Sequence, residues 1–485
     1  MKLKKLFFVF LLPLVTACNN ATVETPSSTT DYADSEDDYV ASQTWNTQIS
    51  IVWDGASATI EGNVDGVEIT NSNGYVTVTS TVKYVEYVLS GSGTGQFKIY
   101  SDYKYKMSLS GLTLTCSDGP AINNQCTKSC YVVVLGTNSL ADTKGYNDEL
   151  NSEDQKGAFF SEGQVLVSGD GSLSITGNNK HAFASDDYIR IFSSTLNITS
   201  NVNDGIHTND AVIINGGDIT IKAVDDGVQV DEDYFIMTDG NLTVTTTGTS
   251  AKGIKAYGNL EITGGTVSVT TPGRESEGIE SKAVLNISGG TVYVLAYDDA
   301  INSGSHMNIS GGTITAISTG NDGLDANGNL YIKGGTTMAF GTSSPECGLD
   351  ANEEQNYSVY FTGGALLAVG GGNSTPSSSQ STQPYVTGSL SVSAGNTVSL
   401  SSGTTSLASF TIPAAYNSSS QSSGWGGHGG MNGGSSVLIT CEGLSSGTSY
   451  TLSNGSSTTS VSAQQYGSSN GGGPGGQGGG GGRPW

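Results

Sequence analysis

The chain has 485 residues, 69 of them glycine, and its formal net charge at pH 7 is −25. With only 19 lysine and arginine residues against 44 carboxylates, this composition argues against nucleic acid and anionic membrane surfaces as partners and is compatible with divalent cations. The length permits more than one domain, although one repetitive domain could use most of it.

The first 18 residues have the pattern of a bacterial lipoprotein signal peptide. Three lysines among the first five residues precede an apolar run at 6–15, which is too short to span a bilayer as a mature helix. The run ends in Val15-Thr16-Ala17-Cys18, which resembles a lipobox, so Cys18 is the expected lipidated residue. The alternative is an ordinary signal peptide with a chance cysteine. We expect an exported, lipid-anchored protein of the cell envelope, and Asn19 favours the outer membrane if the source is Gram-negative.

Changes in composition along the chain predict seven segments. The polar residues 19–41 are expected to form a flexible tether, and the alternating strands of 42–111 a cap that covers an open sheet edge. The regular repeat occupies 112–369 and is the expected ligand-binding domain. It is followed by a linker (370–389), a β-rich segment (390–466) and a glycine-rich tail (467–485), while 1–18 is the signal peptide.

A short phrase of the type Asn-Asp-Gly-Ile recurs through the centre of the chain. Its anchor position is Gly or Ala, and successive anchors are 22–26 residues apart: Gly205, Gly227, Gly253, Gly278, Ala300, Gly323 and Gly348. A period of this length indicates a solenoid. Each unit also contains alternating strands around a bend such as Leu260-Glu261-Ile262-Thr263-Gly264-Gly265. The pattern predicts an all-β fold, a right-handed parallel β-helix with three short strands per coil.

Stacked coils place equivalent residues side by side, so the repeat defines columns. The residue after each anchor is always aliphatic and is expected to point into the core. The residue before each anchor forms one polar column: Asp204, Asp226, Lys252, Glu277, Asp299, Asp322 and Cys347. The second residue after each anchor forms another: His207, Gln229, Lys255, Glu280, Asn302, Asp325 and Asp350.

The acidic members of these columns are candidate calcium ligands. Coils about 4.8 Å apart would bring like charges together, and a cation would relieve their repulsion. Calcium prefers oxygen ligands, whereas softer metals are disfavoured because no His or Cys set accompanies the acids. Three clusters contain the candidates, namely Asp204, Asp225 and Asp226; Glu277, Glu280, Asp298 and Asp299; and Asp322, Asp325 and Asp350 with Glu346. The alternative is that these residues only shape turns.

A basic coil lies between the first two clusters. It supplies the candidate substrate-binding residues Lys252, Lys255 and Tyr257, and the next coil adds Arg274 and Lys282. In one interpretation the cations pair with neighbouring carboxylates and replace a metal in that coil. In the other they hold the carboxylate of a uronic acid, and Lys252, Lys255 or Lys282, with Arg274, could serve a β-elimination.

The region 182–364, with its D-G-[IL] bends, its L-x-I-x-G-G units and Asn321-Asp322-Gly323-Leu324-Asp325-Ala326-Asn327-Gly328, resembles the carbohydrate-binding domain-containing bacterial lipoproteins. The resemblance implies a parallel β-helix of polysaccharide-lyase-like topology, bound Ca²⁺ and binding of acidic polysaccharides such as polygalacturonate, with cellulose as a further ligand. It does not imply lyase activity.

We therefore expect a monomeric surface lipoprotein that binds acidic plant cell-wall polysaccharide through a calcium-loaded face. The alternatives are a calcium-dependent pectate-type lyase and a structural or adhesive rod.

Overall fold

A computed structural model describes residues 36–376, 380–416 and 435–466. The expected signal peptide, Cys18, most of the expected tether and the glycine-rich tail lie outside these ranges. Among the described residues, no helix has the length and apolar character needed to cross a membrane.

The described residues contain 45 strands and three short 3₁₀ helices, Glu36–Asp38, Val40–Ser42 and Glu353–Gln355. The first strands are β1 (Thr47–Gly55), β2 (Ser57–Glu61), β3 (Val67–Ser72), β4 (Tyr75–Ser80), β5 (Val85–Thr94), β6 (Gln96–Ser101) and β7 (Tyr105–Thr115). The next are β8 (Ile122–Asn124), β9 (Cys130–Leu135), β10 (Thr137–Ala141), β11 (Glu149–Leu150), β12 (Glu153–Asp154), β13 (Gly157–Ser161), β14 (Val165–Gly169), β15 (Ser172–Gly177), β16 (His181–Ser185), β17 (Ile189–Ile191) and β18 (Thr195–Ser200). The central strands are β19 (Ile206–Thr208), β20 (Val212–Ile214), β21 (Asp218–Ala223), β22 (Val228–Val230), β23 (Phe235–Met237), β24 (Asn241–Thr246), β25 (Ile254–Ala256), β26 (Leu260–Ile262), β27 (Thr266–Thr271), β28 (Ile279–Ser281), β29 (Leu285–Ile287) and β30 (Thr291–Ala296). They are followed by β31 (Ile301–Ser303), β32 (Met307–Ile309), β33 (Thr313–Ser318), β34 (Leu324–Ala326), β35 (Leu330–Ile332), β36 (Thr336–Phe340), β37 (Leu349–Ala351), β38 (Val359–Phe361) and β39 (Ala365–Gly370). The last are β40 (Tyr385–Leu390), β41 (Thr397–Ser402), β42 (Thr405–Thr411), β43 (Ser435–Thr440), β44 (Ser449–Ser453) and β45 (Thr458–Ser462).

The strands stack into three parallel ladders, which confirms the predicted parallel β-helix. The first ladder runs from β4 through β6, β8, β13, β16, β19, β22, β25, β28, β31 and β34 to β37. The second contains β9, β14, β17 and every third strand up to β38, and the third contains β10, β15, β18 and every third strand up to β39. Each regular coil contributes one strand to each ladder, and the inward aliphatic side chains form one continuous core.

The solenoid begins earlier than the predicted boundary at residue 112. Strands β5 and β7 pair in parallel with each other, and β7 continues into both β9 and β10. Within the segment expected to be a separate cap, only β2 and β3 pair antiparallel with their neighbours, at the end of the stack. The period is hidden in this region because β5 and β7 each run through two ladders as one continuous strand, with only a register shift in their pairing at Leu89–Gly91.

The described end of the expected tether is held against the second ladder. Asp38 Oδ2 pairs with Arg190 Nη1 at 2.6 Å, and the ring of Tyr39 lies 4.7 Å from that of Phe192. Arg190 is only 2% exposed, so the carboxylate of Asp38 supplies a counter-charge to a buried guanidinium. Residues 36–42 are therefore an ordered part of the molecule.

The C-terminal strands pack outside the solenoid. Strand β43 pairs antiparallel with both β39 and β40, while β41, β42, β44 and β45 form a separate antiparallel sheet. A second apolar core joins this sheet to Ile317, Phe340 and Val369 on the outer side of the third ladder. Among the described residues, this second core contains none from the first ladder, which carries the polar columns.

Candidate metal and ligand site

The first ladder has the register that the repeat predicted. Its middle positions pair from coil to coil in the order His207, Gln229, Lys255, Glu280, Asn302, Asp325 and Asp350. The residues on either side of each middle position point into the core, so the middle side chains point outward. The predicted column is confirmed.

Aspartates in the column before the anchors each bind the backbone of the following coil. Oδ1 of Asp204 accepts the N–H of Asp226 at 3.0 Å, and Oδ1 of Asp226 accepts the N–H of Lys252 at 2.6 Å. Asp299 and Asp322 repeat this arrangement, at 3.1 and 2.5 Å. These carboxylates therefore shape the bends, but they do so with one oxygen each, and the second oxygen is available for other contacts.

The second and third predicted clusters form one surface, which we call the acidic strip. It consists of Glu277, Glu280, Asp299, Asp322, Asp325 and Asp350. Within it, Oε2 of Glu277 and Oε2 of Glu280 are buried and accept no hydrogen bond from the described residues while both carboxyls are ionised; protonation of Glu277 lets the two carboxyls share a hydrogen bond. Buried polar atoms are normally satisfied, so this pair of oxygens fits a bound cation with a preference for oxygen ligands.

Burial raises the pKa values of the strip carboxyls, and neighbouring carboxylates add to the effect. The pKa of Glu277 is raised to about 8, and those of Asp299, Asp322 and Asp325 to about 7. Asn302 moderates the repulsion by donating to Oδ2 of both Asp299 and Asp325, each at 2.9 Å. Around neutral pH the metal-free strip is therefore partly protonated, and a divalent cation would replace those protons.

The remaining predicted acids are less enclosed. Asp225 is exposed, Asp298 accepts a hydrogen bond from Asn321 Nδ2 at 2.8 Å, and Glu346 is half-buried beside the strip. An open pocket of about 480 Å³ lies at the end of the strip. Its polar lining includes Asp325, Asn327, Asp350, Asn352, Glu353 and Asn373. Such a surface offers hydrogen bonds and metal ligands rather than apolar contact.

The lysines of the basic coil are paired with carboxylates. Lys252 Nζ lies 3.4 Å from Glu277 Oε1, and Lys255 Nζ lies 3.7 Å from Asp226 Oδ2. Lys282 forms an ion pair with Glu280; although burial lowers the pKa of Lys282, this contact gives a net rise. Arg274 does not join the group: its side chain is 74% exposed and contacts Glu275 at 3.1 Å.

Two exposed aromatic rings lie near these columns, and a half-buried pair lies on another ladder. Tyr257 and Tyr297 are 49% and 41% exposed, and Lys255 Nζ lies 5.4 Å from the centroid of the Tyr257 ring. On the second ladder, the rings of Tyr331 and Tyr360 stack at 4.9 Å. Flat exposed rings of this kind suit stacking on sugar rings.

A histidine pair in the first cluster was missed in the sequence. Nδ1 of His181 and Nδ1 of His207 each lie 3.0 Å from the same atom, Oδ2 of Asp204. The prediction that no histidine set accompanies the acids is therefore wrong in this cluster. The signal was present, because Ala182 stands at an anchor position as Ala300 does, which places His181 in the column of Asp204.

The electrostatics of this group differ from those of the acidic strip. Burial lowers the pKa of His181 to about 4, so this imidazole is neutral. Burial also opposes the charge of His207, but its contacts with Asp204 and Asp231 raise its pKa to about 9. Burial would raise the pKa of Asp204, yet the two histidines lower it to about 2.

Comparison with known proteins places the chain in a family. A family model described as "Carbohydrate-binding domain-containing protein" matches residues 72–323 and 273–435. Among solved structures, the chain is similar to one titled "Structure of the polysaccharide lyase-like protein from C. thermocellum, Gadolinium derivative". That similarity has 18% identity and a TM-score of 0.32, and it covers 66% of this chain and 94% of the other. No curated protein matches. Because the family model spans more than half of the sequence, this chain belongs to the family of carbohydrate-binding domain-containing proteins.

Proposed function

We propose that this protein binds acidic polysaccharide through calcium ions held on the acidic strip of the first ladder. Membership of a carbohydrate-binding family supports a polysaccharide ligand. The observation that carries the calcium is the pair of buried oxygens without partners, Oε2 of Glu277 and Oε2 of Glu280. Asp299, Asp322, Asp325 and Asp350 offer further oxygens along the same face.

The charge of the strip explains why a cation would be needed for an acidic ligand. A row of carboxylates repels the carboxylates of a polyuronate. Calcium accepts about six to eight oxygen ligands with tolerant geometry, so one ion can hold protein and uronate carboxylates together. The nearby lysines and Tyr257 would then contact the sugar chain beside the bound ions.

A lyase has less support than a binding protein. Base catalysis by lysine needs a depressed pKa, whereas the ion pair with Glu280 raises the pKa of Lys282. Lys252 and Lys255 also lie against carboxylates. We therefore propose binding without bond cleavage, by a protein anchored in the cell envelope through Cys18, which lies outside the described residues.

The test compares retention on polygalacturonate in calcium and in EDTA. We expect retention in calcium, loss in EDTA, and recovery when calcium is restored. The double variant Glu277→Gln/Glu280→Gln should bind calcium at least about tenfold more weakly, because it removes two charged ligands at nearly constant volume. Glu68→Gln is the matched control, since Glu68 is an exposed carboxylate on β3, away from the strip.

Three outcomes would contradict the proposal. Retention that is indifferent to both EDTA and the double variant would remove calcium from recognition. Sustained ultraviolet absorbance from an unsaturated uronate product would identify a lyase. Absence of retention on polygalacturonate and on a panel of other glycans, with a melting temperature that still depends on calcium, would favour a structural rod.

A further inference from the structure

Three metal-ligating side chains converge at the start of the polar columns, outside the acidic strip. His181 lies in β16, Asp204 and His207 lie one coil later, and one ligand atom from each falls within 4.8 Å of the other two. The two imidazole rings stack with centroids 4.0 Å apart. Both Nδ1 atoms face one carboxylate oxygen, Asp204 Oδ2, at 3.0 Å.

His181 is not satisfied by this contact. The residue is 2% exposed, and its Nδ1 has no hydrogen bond among the described residues although it lies 3.0 Å from Asp204. The direction of the contact, rather than its length, is unsuitable for a hydrogen bond. A buried imidazole nitrogen that lies beside a carboxylate oxygen without bonding to it is suited to a cation that both atoms bind.

The atoms that surround the group hold it in position. Oδ1 of Asp204 accepts the backbone N–H of Asp226, which leaves Oδ2 directed at the histidines. On the far side of its ring, Nε2 of His207 lies 3.4 Å from Asp231 Oδ2. Gln229 Nε2 donates to the other oxygen of Asp231 at 2.6 Å. A carboxylate behind a metal-binding imidazole is the usual outer partner of such a ligand, because it fixes the orientation and tautomer of the ring.

We propose that His181, Asp204 and His207 form a site for a divalent transition-metal ion of the Zn²⁺ class, with Asp231 as the outer partner of His207. Two imidazole nitrogens and one carboxylate oxygen are ligands that zinc prefers, whereas calcium prefers oxygen alone. Tetrahedral zinc with bonds near 2.0–2.1 Å holds its ligand atoms about 3.3 Å apart, close to the observed nitrogen–oxygen distances. Three protein ligands leave the fourth position for water or for a ligand oxygen.

The assignment separates Asp204 from the other predicted calcium ligands. The first cluster and the acidic strip lie on either side of the basic coil, whose Lys255 faces Asp226. The two sites would thus differ in chemistry, with mixed nitrogen and oxygen ligands at one and only oxygen at the other. The metal at the histidines would join two consecutive coils near the start of the polar face.

The experiment titrates Co²⁺ into the full chain, without an affinity tag, after removal of metal with a chelator. We expect the intense visible absorption of four-coordinate Co²⁺, its displacement by Zn²⁺, and no displacement by millimolar calcium. His181→Gln and His207→Gln should each weaken binding by more than about 100-fold, and Asp231→Asn by about 10–100-fold. His306→Gln is the matched control, since His306 lies beside Tyr331 and Tyr357 and should leave binding unchanged.

Two results would overturn the proposal. The first is absence of the four-coordinate Co²⁺ spectrum in the unaltered chain, a readout that does not depend on any variant folding. The second is equal Zn²⁺ affinity in the unaltered chain and in His181→Gln and His207→Gln, with circular dichroism showing that both variants are folded. A spectrum lost in these variants and kept in His306→Gln supports the site.

Discussion

Replacing Gly253 by alanine tests why the repeated phrase needs a small residue at its anchor. A Cβ atom at Gly253 would lie 2.5 Å from the carbonyl oxygen of Gly278 and closer still to Cγ1 of Val269, both inside the 3.0 Å that real Cβ atoms respect. Gly253 does not have a positive φ angle, so its backbone conformation is open to alanine. The requirement therefore comes from packing inside the coil and against the backbone of the next coil.

Two coils later one of the two alanine anchors has a compensating change, whereas the other, Ala182, keeps the large side chain of Ile198 in the facing column. Ala300 stands at the anchor position, and Ala316 takes the place that Val269 and Val294 hold in the earlier coils. Gly253→Ala should lower the stability by about 1–3 kcal/mol, the usual cost of an overpacked core. That loss corresponds to a fall in melting temperature of roughly 1–4 °C, because the entropy of unfolding is large for a cooperative unit of this length. Val269→Ala removes two buried methyl groups and should cost roughly 1–2.5 kcal/mol.

The double variant Gly253→Ala/Val269→Ala recreates the pair found at Ala300 and Ala316. Because the new methyl group occupies space left by the valine, the double variant should lose about 1 kcal/mol less than the sum of the single losses. Thermal unfolding followed by circular dichroism, at one fixed calcium concentration, measures all four proteins. The reasoning fails if Gly253→Ala melts with the unaltered protein or if the two losses simply add.

Three further predictions concern charge. In the metal-free protein, the acidic-strip carboxyls with pKa values near 7 to 8 bind protons more tightly when the chain is folded than when it is unfolded. Their contribution to stability is therefore full below about pH 4 and is lost as the pH rises through about 7 to 8. In chelator, the melting temperature should fall between about pH 5 and pH 9, and excess calcium should abolish this fall. A melting temperature in chelator that does not change with pH would refute the prediction. At pH 7, calcium should displace about two protons from the strip. Calorimetric titration in buffers of different ionisation enthalpy measures this number, because the released protons are taken up by the buffer. Identical heats in all buffers would argue against calcium binding to the strip carboxyls. Asp38→Asn should cost roughly 1.5–3 kcal/mol and expose residues 36–42 to proteolysis, because buried Arg190 loses the charge of Asp38. Asp37→Asn, at a side chain 78% exposed, should change little, and equal effects would show that the Arg190–Asp38 contact is unimportant.

The repeat made most of the first ladder predictable. In a solenoid, residues one period apart in sequence become neighbours in space, so the spacing of Gly205, Gly227 and Gly253 was enough to place His207, Gln229 and Lys255 in one row. The inward aliphatic column and the outward carboxylates follow from the same alternation. The repeat did not predict which side chains pair with these carboxylates within a coil. The acidic-strip oxygens without hydrogen-bond partners can be identified only from the packed side chains.

The sequence by itself determined the fold class, the period and the polar columns, because these depend on local alternation and regular spacing. The tertiary structure decided what departs from that regularity. Strands β5 and β7 each pass through two ladders as one continuous strand, and Asp38 reaches an arginine more than a hundred residues away. His181 joins Asp204 and His207 from a coil whose anchor is alanine. The Asp38 contact joins segments that no period relates, whereas His181 lies one period before Asp204 and is hidden because its anchor is alanine.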